Sequence, residues 1–165
     1  MGARSERGFT LIEVMTVVAI IALATAIAIP SYQAWYAKAK LKAALLELSS
    51  NMNMARSVAR NRNQTITVTV VLTNGRVMAT YTAPTSTSAA CLADARTCAM
   101  ETQVMPTEVT AIGGTTQVQF NSLGLRVGGG TVNQALQLMD RAGLTYEIQV
   151  TPAGRIRWCT TSPCP

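Results

Sequence analysis

The sequence predicts an α+β fold, a long N-terminal helix whose second half packs on an antiparallel β head. Three observations carry that prediction. Residues 9–29 form an apolar run with one ionisable side chain, Glu13. Residues 38–62 repeat apolar side chains at helical spacing. Beyond residue 63 the pattern changes to alternation, in Val-, Ile- and Thr-rich stretches separated by glycine and proline turns. At 165 residues there is room for one ordinary core and an appendage, not for two cores.

The run FTLIEVMTVVAIIALATAIAI, Phe9 to Ile29, rises about 31 Å as a helix, which matches a hydrocarbon core of about 30 Å. The leader MGARSERG carries Arg4, Glu6 and Arg7, and basic residues there favour an N-terminus left in the cytoplasm. A secretory signal peptide would have an apolar stretch of about 7–15 residues and then a small-residue cleavage site. Here the stretch is longer and continues into a charged helix. Glu13 costs on the order of 3 kcal/mol near the end of a membrane helix unless it is paired. A partner is therefore expected, and the nearest candidate is the free amine of a newly cut N-terminus, on the same or a neighbouring chain.

In the second half of the helix, Leu41, Leu45, Leu48, Met52, Ala55 and Ala59 recur at steps of four and three and make one apolar stripe. Lys38, Lys40, Lys42, Arg56, Arg60 and Arg62 lie mostly off it and read as a solvated face, with lipid or nucleic-acid contact the alternative. Phe9 to Arg62 would span about 80 Å as one helix, so the first half is expected to protrude into membrane or filament. Strands are expected at 65–72 and 76–82, flanking Asn74-Gly75, a strong hairpin signal. Further strands are expected at 102–109, 117–120, 132–139, 144–150 and 155–159. Gly128-Gly129-Gly130 lacks the lysine and helix of a phosphate loop and reads as a flexible hairpin connection. Residues 83–100 read as a Thr/Ser/Ala-rich loop.

Composition excludes much chemistry. There is no histidine, which removes Ser-His-Asp and Cys-His catalysis and His-ligated metal sites. The carboxylates Glu47, Asp94, Glu101, Glu108, Asp140 and Glu147 show no motif spacing, so a membrane-anchored extracytoplasmic enzyme is the remote alternative. No cofactor or metal is expected. The net charge of +6 suits partners bearing phosphate or anionic headgroups. Cys91, Cys98, Cys159 and Cys164 form no CxxC pair; they permit three disulfide connectivities, among them local closure of the 83–100 loop and of the C-terminal tail. A head beyond a membrane helix sits where disulfides persist.

Gly8 to Met15, GFTLIEVM, resembles the signal sequence of type IV prepilins and type II secretion pseudopilins. The resemblance implies cleavage after Gly8 by a dedicated prepilin peptidase and N-methylation of Phe9. It also implies pairing of Glu13, fifth in the mature chain, with the terminal amine of an adjacent subunit, and a bend or melt at Pro30. Ala55 to Val68 and the segments FNSLG (Phe120 to Gly124) and AGRIRW (Ala153 to Trp158) resemble the GspH/FimT family of minor pilins and pseudopilins. Gly154-Arg155-Ile156-Arg157 resembles the GRxR motif of DNA-binding members, which capture DNA for natural transformation.

The physical logic of that motif stands beside the name. On a strand, residues 155 and 157 share one face, about 7 Å apart, while Ile156 and Trp158 would pack inward. Two such guanidinium groups grip a phosphate backbone without reading bases. The other reading is that edge-strand arginines discourage sheet-to-sheet aggregation.

The sequence is therefore read as a type IV pilin-like minor subunit that assembles and binds without catalytic turnover. Its parts are a leader at 1–8, a membrane-spanning and filament-core helix at 9–30, an amphipathic continuation at 31–62 and a β head at 63–165. It is expected in the bacterial inner membrane with a periplasmic head, and then in a pilus. Expected partners are other pilin or pseudopilin subunits, the prepilin peptidase, inner-membrane lipid and double-stranded DNA. The alternative is a GspH-like pseudopilin of a type II secretion system.

Overall fold

The computed structural model of the chain describes residues 9–128 and 130–164. The expected leader, with Gly8, lies outside the described residues. Two compact units divide the chain, Met1–Tyr36 and Ala37–Pro165.

Helix α1 runs Leu11–Asn61. In the first unit it begins behind Thr10, whose carbonyl accepts from the backbone N–H of Glu13 at 3.1 Å and of Val14 at 3.3 Å. Thr16 donates its hydroxyl to the Glu13 carbonyl (2.9 Å), and Thr25 donates to the Ile21 carbonyl (2.9 Å). Both hydroxyls are thus spent on their own helix, as an apolar surrounding requires. The helix is long and apolar enough to cross a membrane, and its most apolar stretch buries nothing within the chain. Pro30 lies inside α1, which stays helical there, so the expected melting is not seen.

In the second unit the stripe is buried as its spacing predicts: Leu41, Leu45, Leu48, Met52, Ala55 and Ala59 are inaccessible. Each large side chain so buried contributes about 1.5–3 kcal/mol of transfer free energy. Among the described residues nine strands follow, and the stripe shares one core with side chains from most of them: β1 Ile66–Thr73, β2 Arg76–Thr82, β3 Cys98–Val104, β4 Val109–Gly114, β5 Gln117–Phe120, β6 Arg126–Val127, β7 Gln134–Asp140, β8 Thr145–Val150 and β9 Ile156–Cys159. Ile66, Val68 and Val70 of β1 alternate inward, and so do Leu136, Leu138, Ile148 and Val150 of β7 and β8. Asn74 and Gly75 both have positive φ (52° and 73°), the mirror-image turn that a twisted two-residue hairpin needs.

The head holds two antiparallel sheets where one was expected, ordered β3-β2-β1-β5-β6 and β4-β7-β8-β9. The single strand expected at 102–109 is divided between them. Pro106 has no N–H to give a ladder, and a turn closes there with Val109 donating to its carbonyl at 3.1 Å. The triple-glycine segment leads from β6 in one sheet to β7 in the other, so it is a crossing and not a hairpin. The 83–100 loop contains a short helix, α2 (Ser88–Ala93), capped by Thr87, whose hydroxyl accepts from Ala90 N–H.

Candidate functional site

The site expected at Gly154, Arg155 and Arg157 lies where the turn after β8 enters β9, the edge strand of the four-stranded sheet. The turn closes through Gly154 N–H to the Thr151 carbonyl (2.9 Å) and Thr151 N–H to the Arg155 carbonyl (3.0 Å). Gly154 is buried with φ +74°, and a Cβ there would collide with the Gly124 carbonyl and lie 3.0 Å from Arg56 Nε. Only glycine fits both the backbone and the space. Gly154 thus shapes the turn and aims its neighbours; it presents no surface of its own.

Arg56 of α1 fixes this arrangement. Its Nε donates to the Gly124 carbonyl at 2.7 Å and its Nη2 to the Ala153 carbonyl at 3.2 Å. One half-buried guanidinium therefore ties the helix to the turn after β5 and to the turn before β9. This corrects the reading of Arg56 as part of a solvated face. The Phe120–Gly124 segment is itself set by Asn121, whose Oδ1 accepts from the N–H groups of Leu123 (3.0 Å) and Leu125 (2.9 Å).

Arg155 and Arg157 are both exposed, and neither guanidinium has a hydrogen-bond or ion-pair partner among the described residues. Arg157 stands opposite Gln149 on β8, and Ile156 opposite buried Val150, so the alternation that separates the arginines from the core holds. Arg155 precedes the strand proper and Ile156 packs against the core. Trp158 departs from expectation: it keeps 40% of its surface exposed, and the Lys42 ammonium sits 5.9 Å from its ring centroid. A cation over an indole face is attracted to the ring quadrupole, which gives Lys42 a place beside the arginine-bearing edge.

The C-terminal tail folds over the outer face of this sheet, the face that register gives to Gln149 and Arg157. Cys159 pairs with Cys164, and Cys91 with Cys98, so both disulfides are the local ones. The folded-back tail buries Glu147, whose carboxylate accepts from Ser162 Oγ (2.7 Å), Gln149 Nε2 (3.0 Å), Gln137 Nε2 (3.2 Å) and Cys164 N–H (3.2 Å). Burial alone would push this carboxyl up, but the four donors outweigh it and hold it below the usual range. Sequence spacing gave no sign of this cluster.

The glycine segment offers acceptors, the reverse of a phosphate cradle. Buried Arg126 donates Nη1 to the Gly128 carbonyl, and Nη2 to the carbonyls of Gly130 (3.1 Å) and Val132 (2.7 Å). In the first unit Phe9 is exposed and Glu13 stands in the opening turn of α1. Among the described residues, no group of three or more His, Cys, Asp or Glu could hold a metal ion.

Comparison with known proteins fits this architecture. The prokaryotic N-terminal methylation motif matches residues 3–29, and the family described as type II transport protein GspH matches residues 44–154. A fimbrial protein of Pseudomonas aeruginosa is 49% identical over 47 residues, 28% of this chain and 30% of the relative. The type IV major pilin protein PilE1 of Neisseria gonorrhoeae is 46% identical over 41 residues, 25% of each. These matches span less than a third of the relatives' own length. The crystal structure of the Pseudomonas aeruginosa type IV minor pilin FimU superposes with a TM-score of 0.52 at 15% identity, over 73% of this chain and 88% of that one, and shares the fold. Matched over well more than half of its length, the chain belongs to the GspH family, and it opens with the prokaryotic N-terminal methylation motif.

Proposed function

We propose that this subunit enters a type IV pilus and that its β9 edge binds double-stranded DNA without reading sequence, for uptake in natural transformation. The observation that carries the reading is the pair Arg155 and Arg157, exposed and without a guanidinium partner among the described residues, at the entry to and within the edge strand β9. Phosphate oxygens are the natural acceptors for two guanidinium groups with no acceptor of their own. The chain acts by assembly and binding, with no catalytic turnover.

On this reading it is made as a prepilin, cut by the prepilin peptidase between Gly8 and Phe9, and methylated on Phe9. It waits in the inner membrane with its head in the periplasm. Glu13, the one carboxylate in the apolar run, pairs with the terminal amine of a neighbouring subunit on incorporation. Mass spectrometry of the native protein checks the first step, for which an intact leader or a cut near Ala28 is the opposing result. Glu13→Ala is expected to leave insertion intact and to deplete the subunit from sheared filaments.

The DNA reading is tested with the full chain in detergent and a random-sequence duplex. Arg155→Gln with Arg157→Gln should weaken binding and flatten the slope of log K against log salt by about two units. Arg60→Gln with Arg62→Gln is the comparison, since Arg56 is occupied in holding the fold. No binding at low salt, or an unchanged double mutant, rejects DNA uptake. A second reading, service in a type II secretion pseudopilus, is supported by the match to a type II transport protein. Deleting the gene in its host separates the two: loss of transformation with secretion intact supports the first, and the converse supports the second.

A further inference from the structure

The five-stranded sheet has a second face that DNA binding does not use. Ile66, Val68 and Val70 of β1 point into the core, which turns Thr67 and Thr69 outward. Cross-strand register extends that outward face on both sides. Thr67 lies opposite Thr82 of β2 and Gln119 of β5, and Thr69 lies opposite Thr80 and Gln117. Thr80 and Thr82 are buried, so the open part of this face is Thr67, Thr69, Gln117 and Gln119, about 4.8 Å apart between strands and about 7 Å apart along them.

The segment between β2 and α2 stands beside this floor and closes a groove of about 450 Å³. The wall is anchored: the Thr80 hydroxyl meets Ser88 Oγ at 2.8 Å, and Cys91–Cys98 secures the far side of α2. Polar capacity in the groove is largely unspent. The side chains of Thr67, Thr69, Thr82, Gln117 and Gln119 make no hydrogen bond to any described residue. Ser86 Oγ, in the wall, is buried with no partner. A polar atom left so is costly unless something answers it.

The lining contains no charged residue, in a chain of net charge +6. Polyanions and anionic headgroups therefore have nothing there to hold them. The apolar part of the lining comes from Ala83, Pro84 and small methyl and methylene groups, with none of the aromatic or large aliphatic side chains that anchor a protein interface. β1 is flanked by β2 and β5, so no peptide can join it as a strand. Evenly spaced donors and acceptors without charge match a ligand that repeats hydroxyls without charge.

We propose that this groove binds a neutral oligosaccharide, independently of the arginine edge. The full chain, held in a zwitterionic detergent so that no sugar headgroup competes, is titrated with maltotetraose, cellotetraose and N-acetylchitotetraose. Saturation-transfer NMR and calorimetry should find saturable binding of at least one of them, little changed between about 50 mM and about 500 mM salt. Thr67→Val with Thr69→Val keeps the β-branched shape and deletes the hydroxyls, and should weaken that binding about tenfold or more. Arg155→Gln with Arg157→Gln should leave it unchanged. If the valine pair fails to fold by circular dichroism, Gln117→Ala with Gln119→Ala decides on the same face. Absence of saturable binding by all three sugars overturns the proposal. So does binding that survives the groove variants, or binding lost in high salt or with the arginines.

Discussion

Helix α1 is one element by hydrogen bonding and two by what its apolar side chains meet. From Leu11 to Ile29 the aliphatic side chains are exposed, with Leu11 at 79% and Ile27 at 77%. From Leu41 to Ala59 the stripe is buried against the chain's own strands. Apolar content alone does not tell these stretches apart; distribution does. A helix apolar on all sides needs cover from outside the chain, whether lipid or other subunits. A helix apolar on one stripe is covered by the fold it belongs to. The same distinction separates the arginines, since Arg56 and Arg126 are held by main-chain carbonyls whereas Arg155 and Arg157 face water.

The largest expected effect tests the helix comparison directly. Leu48→Ala removes a fully buried side chain and should cost about 2–5 kcal/mol in urea unfolding, the transfer loss plus the cavity left behind. Ile21→Ala, on the exposed half, should change head stability by less than about 0.5 kcal/mol and act instead on retention in membranes and filaments. Tryptophan fluorescence of the full chain in micelles, with Trp35→Phe in the background so that Trp158 alone emits, reads the head. Equal losses from the two substitutions would erase the distinction.

A smaller effect separates the two kinds of arginine and of glycine. Arg56→Ala leaves the Gly124 and Ala153 carbonyls without their donor, and hydrogen bonds from a charged group are worth about 1.5–3 kcal/mol. Arg157→Ala should cost less than about 0.5 kcal/mol. Gly154→Ala should cost more than Gly75→Ala. Both have positive φ, but a Cβ at Gly75 meets open space while one at Gly154 meets the Gly124 carbonyl. Thermal melts of the four variants rank them, and a Gly154→Ala protein as stable as Gly75→Ala would remove the clamp.

What the sequence made legible was whatever repeats locally. The stripe from Leu41 to Ala59, the hairpin at Asn74-Gly75, and strands β2 and β5 fall where periodicity and turn chemistry put them. The division into two sheets was not legible, because alternation marks a strand's faces and not its neighbours. Most of β4 lies beyond the strand expected to end at 109; its Gly113 is where Met139 packs, 2.6 Å from any added Cβ. α2 was hidden in a Ser/Thr-rich segment whose composition reads as loop. Arg56 and Arg126 act on carbonyl oxygens, which every residue possesses, so no spacing could announce them. At the arginine edge the positions of Arg155 and Arg157 were legible from alternation, while the half-exposed Trp158 was not.

The smallest predicted effect applies the comparison to carboxylates. Glu13 stands in the exposed opening turn of α1, whereas Glu147 is 1% exposed on a strand face that would meet water but for the tail. Its shift has no cation behind it, only Ser162, Gln137, Gln149 and the Cys164 N–H overcoming burial. A carboxyl held below its ordinary 4.5 in the folded state stabilises that state fully above 4.5, and the contribution fades as pH falls through the folded value. Thermal melts between about pH 7 and about pH 3 should therefore show the parent losing stability on the acid side more steeply than Glu147→Gln. The amide keeps the shape but turns a donor toward donors, so the variant starts lower at neutral pH and its curve is flatter. Cys159→Ser with Cys164→Ser should flatten the curve too, since the clasp holds two of the four donors, Ser162 and the Cys164 N–H, over the carboxylate. Parallel curves for parent and Glu147→Gln would mean that the tail lies on Glu147 without depending on its charge, and the carboxylate half of the comparison would fall.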